Sequence, residues 1–237
     1  MKYLPRQEQT ERAVYEALDE VCDEMNVSIT SYPTVYRITR RTMFDDLFLG
    51  QRYEECFLES KRYKESRVLF EPKVVLIADD SDAHIYEEAS HFAHLSVSGL
   101  IPHSKSKRDM ISSMIIVEMF GLLCPMLLGI NKHNPFRGTS DFFSMSPNER
   151  AEYVREFCDV DYLDEGDFSD FIVHQQGYGL AERAFFAHHE GQFPKAEIRH
   201  LFMQNFSKRN SAYNTFLALR EKLGWPIQPA TAERVMY

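Results

Sequence analysis

Five side chains that can bind a metal ion or transfer a proton lie close together after a β-like run and the acidic turn 79–82. They are His84, Glu87, Glu88, His91 and His94. Residues three and four positions apart share a face of an α-helix, so Glu87, His91 and His94 line one stripe. His84 and Glu88 lie beside that stripe. Imidazole and carboxylate groups bind zinc, manganese or iron, and the segment therefore predicts a divalent-metal site, while a surface His84 and a core His94 are the alternative.

Glu118 is a carboxylate in an otherwise apolar stretch, residues 111–130. An isolated ionised carboxylate costs several kcal/mol to bury, so it must be paired, protonated or bound to a cation. His91, Arg37 or a metal ion could be its partner. A buried salt bridge, a metal ligand and an exposed edge position all stay open from the sequence.

The same stretch is long and apolar enough to be considered as a membrane span. Glu118 near its middle and Pro125 further along argue against that interpretation, because a charged group at the bilayer centre is costly. A helix that is apolar on all sides is typical of a globular core. We therefore predict a buried helix and no contact with a membrane.

The order strand, helix, glutamate on the next helix resembles the zincin metallopeptidases of the gluzincin type, whose helix carries a His-Glu-x-x-His motif. The corresponding residues here are Glu87-Glu88-Ala89-Ser90-His91, in which Glu87 replaces the first His. The resemblance implies a zincin-like fold, zinc bound by Glu87, His91 and Glu118, and Glu88 as the general base. It also implies a peptide or protein substrate. Either Glu87 serves as a ligand in an active hydrolase, or the chain is a non-catalytic relative.

A second group of polar residues lies in residues 174–189. His174 and Tyr178 are candidate catalytic residues, because both can donate a hydrogen bond to a developing oxyanion. Glu182 and His189 are seven residues apart and could face the same cleft, although a packed amphipathic helix with a solvated Glu182 is the alternative. Gly177 and Gly179 inside this helical pattern indicate that another element packs closely against it.

Two further functions remain compatible with the sequence. A helical binding or regulatory module could use an aromatic face for a partner. A di-metal carboxylate helical bundle uses Glu-x-x-His pairs, and residues 88–91 form one such pair. A second pair is missing, because Phe185 occupies the position three residues after Glu182.

Hydrophobic periodicity predicts the elements that position these residues. Apolar residues spaced three or four apart predict a helix over residues 5–25, and short β-branched runs predict strands over 35–39 and 74–77. The segment 44–63 is predicted to be a helix or a lid-like connection. Further helices are predicted near 82–98, 108–130, 147–158, 168–190, 195–206 and 210–223. The expected fold is α+β in a single domain, residues 1–237, with a small N-terminal mixed sheet (about 1–80) and a mainly helical bundle (about 81–237).

Composition limits the range of partners. With 27 Lys and Arg against 36 Asp and Glu, the net charge is −9. Nucleic acids and anionic membranes require a basic surface, so neither is an expected partner. The four cysteines form no Cys-x-x-Cys pair, and the polar N-terminal stretch does not resemble a secretory signal. Both features predict reduced thiols and a cytoplasmic protein.

Overall fold

A computed structural model of the chain describes six helices and two strands. The described residues are 6–37, 74–77, 80–98, 107–131, 133–135, 141, 145–146, 148–149, 165–206 and 211–226. The elements in chain order are α1 (Arg6–Met25), β1 (Thr34–Arg37), β2 (Val74–Ile77), α2 (Asp82–Ser98), α3 (Lys107–Leu127), α4 (Glu165–His189), α5 (Lys195–Phe202) and α6 (Ala212–Lys222).

Helix bounds agree with the hydrophobic pattern to within a few residues at most ends. The prediction of a mainly helical bundle is confirmed. The predicted helix 147–158 falls almost wholly outside the described residues, but the capping box that should begin it is present. Ser146 N donates to Glu149 Oε2 at 2.7 Å, and Glu149 N donates to Ser146 Oγ at 3.3 Å. The reciprocal bonds satisfy two backbone donors at a helix start.

The two strands form a short parallel pair. Thr34 lies opposite Val74 and Arg37 opposite Ile77. Val35, Val75 and Ile77 are buried and turn the pair toward the core. A mixed sheet also requires antiparallel pairing, which the described residues do not contain, so that part of the expectation stays a prediction. The predicted connection 44–63 lies outside the described residues.

Asp80 joins the sheet to the helices at the turn before α2. Its carboxylate accepts hydrogen bonds from Arg37 Nε at 2.9 Å and Arg37 Nη2 at 2.6 Å, and from Arg6 Nη2 at 3.0 Å. The contact with Arg37 is the main reason that the pKa of Asp80 is lowered. Arg37 is therefore committed to Asp80, and the expectation that it could partner Glu118 is wrong.

Helix α3 lies at the centre of the bundle and packs against α1, α2, α4 and α6. Ile115, Ile116, Met119 and Phe120 on it are fully buried. Its predicted place in the core is confirmed. Within the described ranges, no helix combines the length and apolarity needed to cross a membrane.

Helices α3 and α4 approach each other closely at Gly177. A Cβ atom at this position would lie 2.9 Å from the carbonyl oxygen of Ile115 and 3.0 Å from the amide nitrogen of Met119. Such distances are shorter than real Cβ contacts, so only glycine allows this crossing. Gly179, one half-turn later, packs on the ring of Trp225. The prediction that these two glycines mark close packing is confirmed.

A buried cation holds α6 against α4. The side chain of Arg220 is fully buried, donates to Asp141 Oδ2 at 2.6 Å and to Gln176 Oε1, and stacks over the ring of Trp225 at 4.0 Å. A buried charge is tolerated when it is paired and hydrogen-bonded on all sides. Arg220 thereby connects α6 to the half of α4 that carries the candidate site.

His94 is a core residue of α2. Its Nδ1 lies 2.8 Å from the carbonyl oxygen of Phe202, and its ring packs against those of Phe120 and Phe202. Burial lowers the pKa of His94 from 6.5 to about 4, in spite of the opposing effect of the Phe202 carbonyl. The imidazole is therefore neutral at pH 7 and donates from Nδ1. The alternative interpretation of His94 as a packed core residue is confirmed.

This shift predicts acid sensitivity of the fold. The unfolded chain binds a proton at His94 near pH 6.5 and the folded chain only near pH 4, so stability is lost as the pH falls through this window. We measure the free energy of unfolding in urea at several pH values for the wild-type protein and for His94→Asn. Between pH 6.5 and 4 we expect this free energy to fall more steeply with decreasing pH in the wild-type protein, by up to about 1.4 kcal/mol per pH unit. Asn keeps a donor toward Phe202, and the difference at about pH 8 measures packing alone. Equal slopes for the two proteins would contradict the prediction.

Candidate metal centre

Three helices bring six polar side chains to one place in the bundle. Helix α2 supplies Glu87, Glu88 and His91, α3 supplies Glu118, and α4 supplies His174 and Tyr178. One ligand atom from each of Glu87, His91 and Glu118 lies within 4.8 Å of the other two. The structure thus brings together the three residues that the sequence predicts as metal ligands.

His91 and Glu118 form the closest contact at the centre. His91 Nε2 lies 3.3 Å from Glu118 Oε2, and each side chain is only 15% exposed. Within the described part of the chain, neither atom has a partner with hydrogen-bond geometry. Two ligands that are each about 2.1 Å from one cation lie about 3.0–3.4 Å apart. The contact therefore has the spacing of neighbouring ligands around one ion.

The imidazole of His91 packs directly on the backbone of α3 at Gly121. A Cβ atom at Gly121 would lie within 3.0 Å of three atoms of this ring, including Nε2. Gly121 is three residues after Glu118, so both lie on the same face of α3. The helix therefore provides a carboxylate and, one turn later, the space for the imidazole that faces it.

Glu87 is held from the α4 side. The hydroxyl of Tyr178 donates to Glu87 Oε1. Burial, followed by the negative charge of Glu87, raises the pKa of Tyr178, so the phenol stays protonated and remains a donor. His84 Nδ1 lies 4.0 Å from the other oxygen, Glu87 Oε2. One oxygen of Glu87 thus accepts from Tyr178, and the other lies within 4.0 Å of His84.

His174 contacts the same carboxylate as His91. Its Nε2 lies 3.5 Å from Glu118 Oε2, and its ring packs edge-on against that of Tyr178. The sequence predicted His174 and Tyr178 as oxyanion donors, a role that no contact tests. The geometry places His174 beside Glu118, but outside the group of Glu87, His91 and Glu118 whose ligand atoms lie within 4.8 Å of one another. The four-residue spacing of His174 and Tyr178 indicated a shared face, but not that this face meets Glu118.

Glu88 lies at the other edge of the His91 ring. Its Oε2 is 3.7 Å from His91 Nδ1, whereas Nε2 of the same ring faces Glu118. Adjacent residues on a helix point about 100° apart, which explains why Glu87 and Glu88 have different partners.

The site favours positive charge. Burial alone would lower the pKa of His91, but Glu118 and Glu88 outweigh it, and the pKa of His91 lies well above 6.5. Burial would raise the pKa of Glu118, but the charge of His91 outweighs it, and the pKa of Glu118 is lowered. A protonated His91 balances one of the three carboxylates. A divalent cation in place of that proton would balance two.

Two other residues of α4 lie away from the centre. Glu182 accepts a hydrogen bond from Asn134 Nδ2 at 3.3 Å, and the ring of His189 packs against Phe185. That Glu182 and His189 share a cleft with His174 stays a prediction.

Gly121→Ala tests whether the recess in α3 positions His91. The added methyl group must displace the imidazole, so we expect destabilisation of about 1–3 kcal/mol and weaker metal binding. Gly191→Ala is the control, since Gly191 has a φ of 75° and open space around it. That substitution strains the backbone by about 1–2 kcal/mol without touching His91. Equal zinc affinity of the two variants, measured by competition with a chelator, would contradict the assignment.

Comparison with known proteins identifies no relative of this chain. No family model matches it, and no curated protein or solved structure matches it either. What the chain does must therefore be argued from the geometry of the centre.

Proposed function

We propose that this protein is a metal-dependent enzyme whose centre lies among α2, α3 and α4. The proposal depends chiefly on one observation, the buried contact between His91 Nε2 and Glu118 Oε2. The two atoms lie at ligand spacing without a hydrogen bond between them. Glu87 adds a second carboxylate to this pair, and the imidazole of His174 lies 3.5 Å from the same oxygen of Glu118.

The number and kind of donors favour a six-coordinate ion. Glu87, His91 and Glu118 already lie at mutual ligand distance. If His174 moved in as a fourth ligand, two carboxylates and two imidazoles would fill the four positions of a tetrahedral zinc ion and leave none for a substrate or water. Around six-coordinate iron(II) or manganese(II), the same four donors leave two positions open. Iron accepts imidazole and carboxylate ligands together. We therefore infer iron first, manganese second.

The reaction class follows from the ligand set and its surroundings. Non-haem iron oxygenases bind iron through two histidines and one carboxylate and leave positions open. The set proposed here has the same kinds of ligand and one further carboxylate. Metal sites built from Glu and His on facing helices are typical of carboxylate helical bundles. The helix that carries Glu118 is mostly apolar and largely buried, and the side chain of Glu118 is only 15% exposed, which limits the access of water to the site. We propose an oxidoreductase that uses dioxygen on a small organic substrate.

A zinc hydrolase is the second candidate, because Tyr178 already holds one oxygen of Glu87. If Glu87 stays on Tyr178 and His174 moves to ligand distance, the ligands are His91, His174 and Glu118. Two histidines and one glutamate with an open position for water form the ligand set of zinc peptidases. His174 would then supply from α4 the histidine that the zincin-like motif lacks at position 87. The zincin-like fold, the mixed sheet, zinc, a peptide substrate and Glu88 as general base belong to this candidate.

Metal content and turnover distinguish these candidates. We expect protein purified from medium containing iron, manganese and zinc to hold about one iron or manganese ion per chain by elemental analysis. Glu118→Gln removes the carboxylate at the centre of the ligand set, and we expect metal affinity to fall by more than about 100-fold. The matched control is Glu20→Gln, which removes a carboxylate of α1 that accepts a hydrogen bond from Tyr86 of α2. This control retains the wild-type metal content.

Activity measurements separate the two candidates further. Dioxygen uptake by the iron-loaded protein, lost in Glu118→Gln, supports the oxidoreductase. Stoichiometric zinc together with peptide hydrolysis supports the second candidate. A wild-type protein that binds none of the three metals contradicts both and leaves a non-catalytic helical module.

A further inference from the structure

We propose that Glu88 is a positioning residue that accepts a hydrogen bond from Nδ1 of His91 and thereby directs Nε2 of this ring toward the cation. The inference rests on the metal site proposed above and adds to it the group that orients one ligand. It assigns Glu88 a role different from the general base of the zincin-like interpretation.

The two nitrogens of His91 face different carboxylates. Nε2 lies 3.3 Å from Glu118 Oε2, and Nδ1 lies 3.7 Å from Glu88 Oε2. Because the two nitrogens are on opposite edges of the imidazole, Glu88 lies on the far side of the ring from the cation position. A general base must reach the water that is bound to the metal. The position of Glu88 therefore favours orientation of the ring over proton transfer.

The His91 ring needs a hydrogen-bond acceptor at Nδ1 to fix its orientation in the recess at Gly121. The recess at Gly121 fixes where the His91 ring lies, but a ring that fits the recess can also flip by 180°. The flip exchanges nitrogen and carbon positions and would turn a C–H group toward Glu118. A carboxylate that accepts from Nδ1 selects the orientation in which Nε2 faces the cation. Metal-bound histidines almost always donate their second N–H to such a group.

The contact is 0.5 Å or more beyond ordinary hydrogen-bond length, since such bonds are about 2.7–3.2 Å long. Contacts of this kind often shorten when a site is loaded. Both side chains stay close enough for this change, because Glu88 and His91 are three residues apart on one helix.

Zn²⁺ binding to Glu88→Gln and Glu88→Ala tests the inference, because zinc is diamagnetic and permits NMR of the loaded site. By competition with a chromophoric chelator, we expect the dissociation constant to rise about 10-fold for Gln, which keeps an acceptor, and about 100-fold for Ala. Glu20→Gln, the control on α1, binds like the wild-type protein. Long-range ¹H–¹⁵N spectra of the zinc-loaded protein should show a protected Nδ1 proton on His91 that Glu88→Ala loses.

Several results would overturn the inference. Unchanged zinc affinity of Glu88→Ala would do so, and with turnover also lost it would favour the general base. If Glu88→Ala lowers the melting temperature of the metal-free protein as much as that of the zinc-loaded protein, Glu88 has only a structural role. If the wild-type protein binds zinc and the Glu88 variants do not differ from it, only this inference fails. If the wild-type protein binds no metal, the proposed function fails as well.

Discussion

The ionised side chain of Glu118 within an apolar helix is the constraint around which this bundle is organised. A buried carboxylate without a compensating charge costs several kcal/mol, so α3 can occupy the core only if neighbouring helices bring partners to it. Helix α2 brings His91 and helix α4 brings His174. The crossing that builds the core and the cluster that could hold a cation are therefore the same set of contacts.

Two glycines show how closely the fold and the site are joined. Gly177 on α4 lies against α3 beside Glu118, and Gly121 on α3 lies against the ring of His91. Each glycine lacks the Cβ atom that would collide with the adjacent helix or side chain. Together they let three helices converge on the carboxylate of Glu118. A larger residue at either position would separate the helices and move the ligands apart at the same time.

Much of the fold was predictable because periodicity and helix signals are local. The bounds of α2 and β2 coincide with the predicted ranges, and α1 begins within one residue of its prediction. The triad Glu87, His91 and Glu118 was predicted from the resemblance to the zincin motif. Helical spacing alone placed His94 on the same stripe as Glu87 and His91, and the cost of burying Glu118 required a partner without saying which one.

What sequence could not supply was the identity of neighbours across helices. His174 comes from a helix separated from α3 by a long stretch of chain, and no spacing rule relates position 174 to position 118. Glu88 occupies the position of the general base in the zincin-like motif. The orientation of the His91 ring nevertheless places Glu88 next to Nδ1, on the other side of the ring from the proposed cation. Arg37 was a plausible partner for Glu118 by charge alone, and only the position of Asp80 shows that it is already occupied. The cost of burying a charge can thus indicate which residues are candidate ligands. Their roles depend on which atoms of each ring or carboxylate face the neighbouring helices.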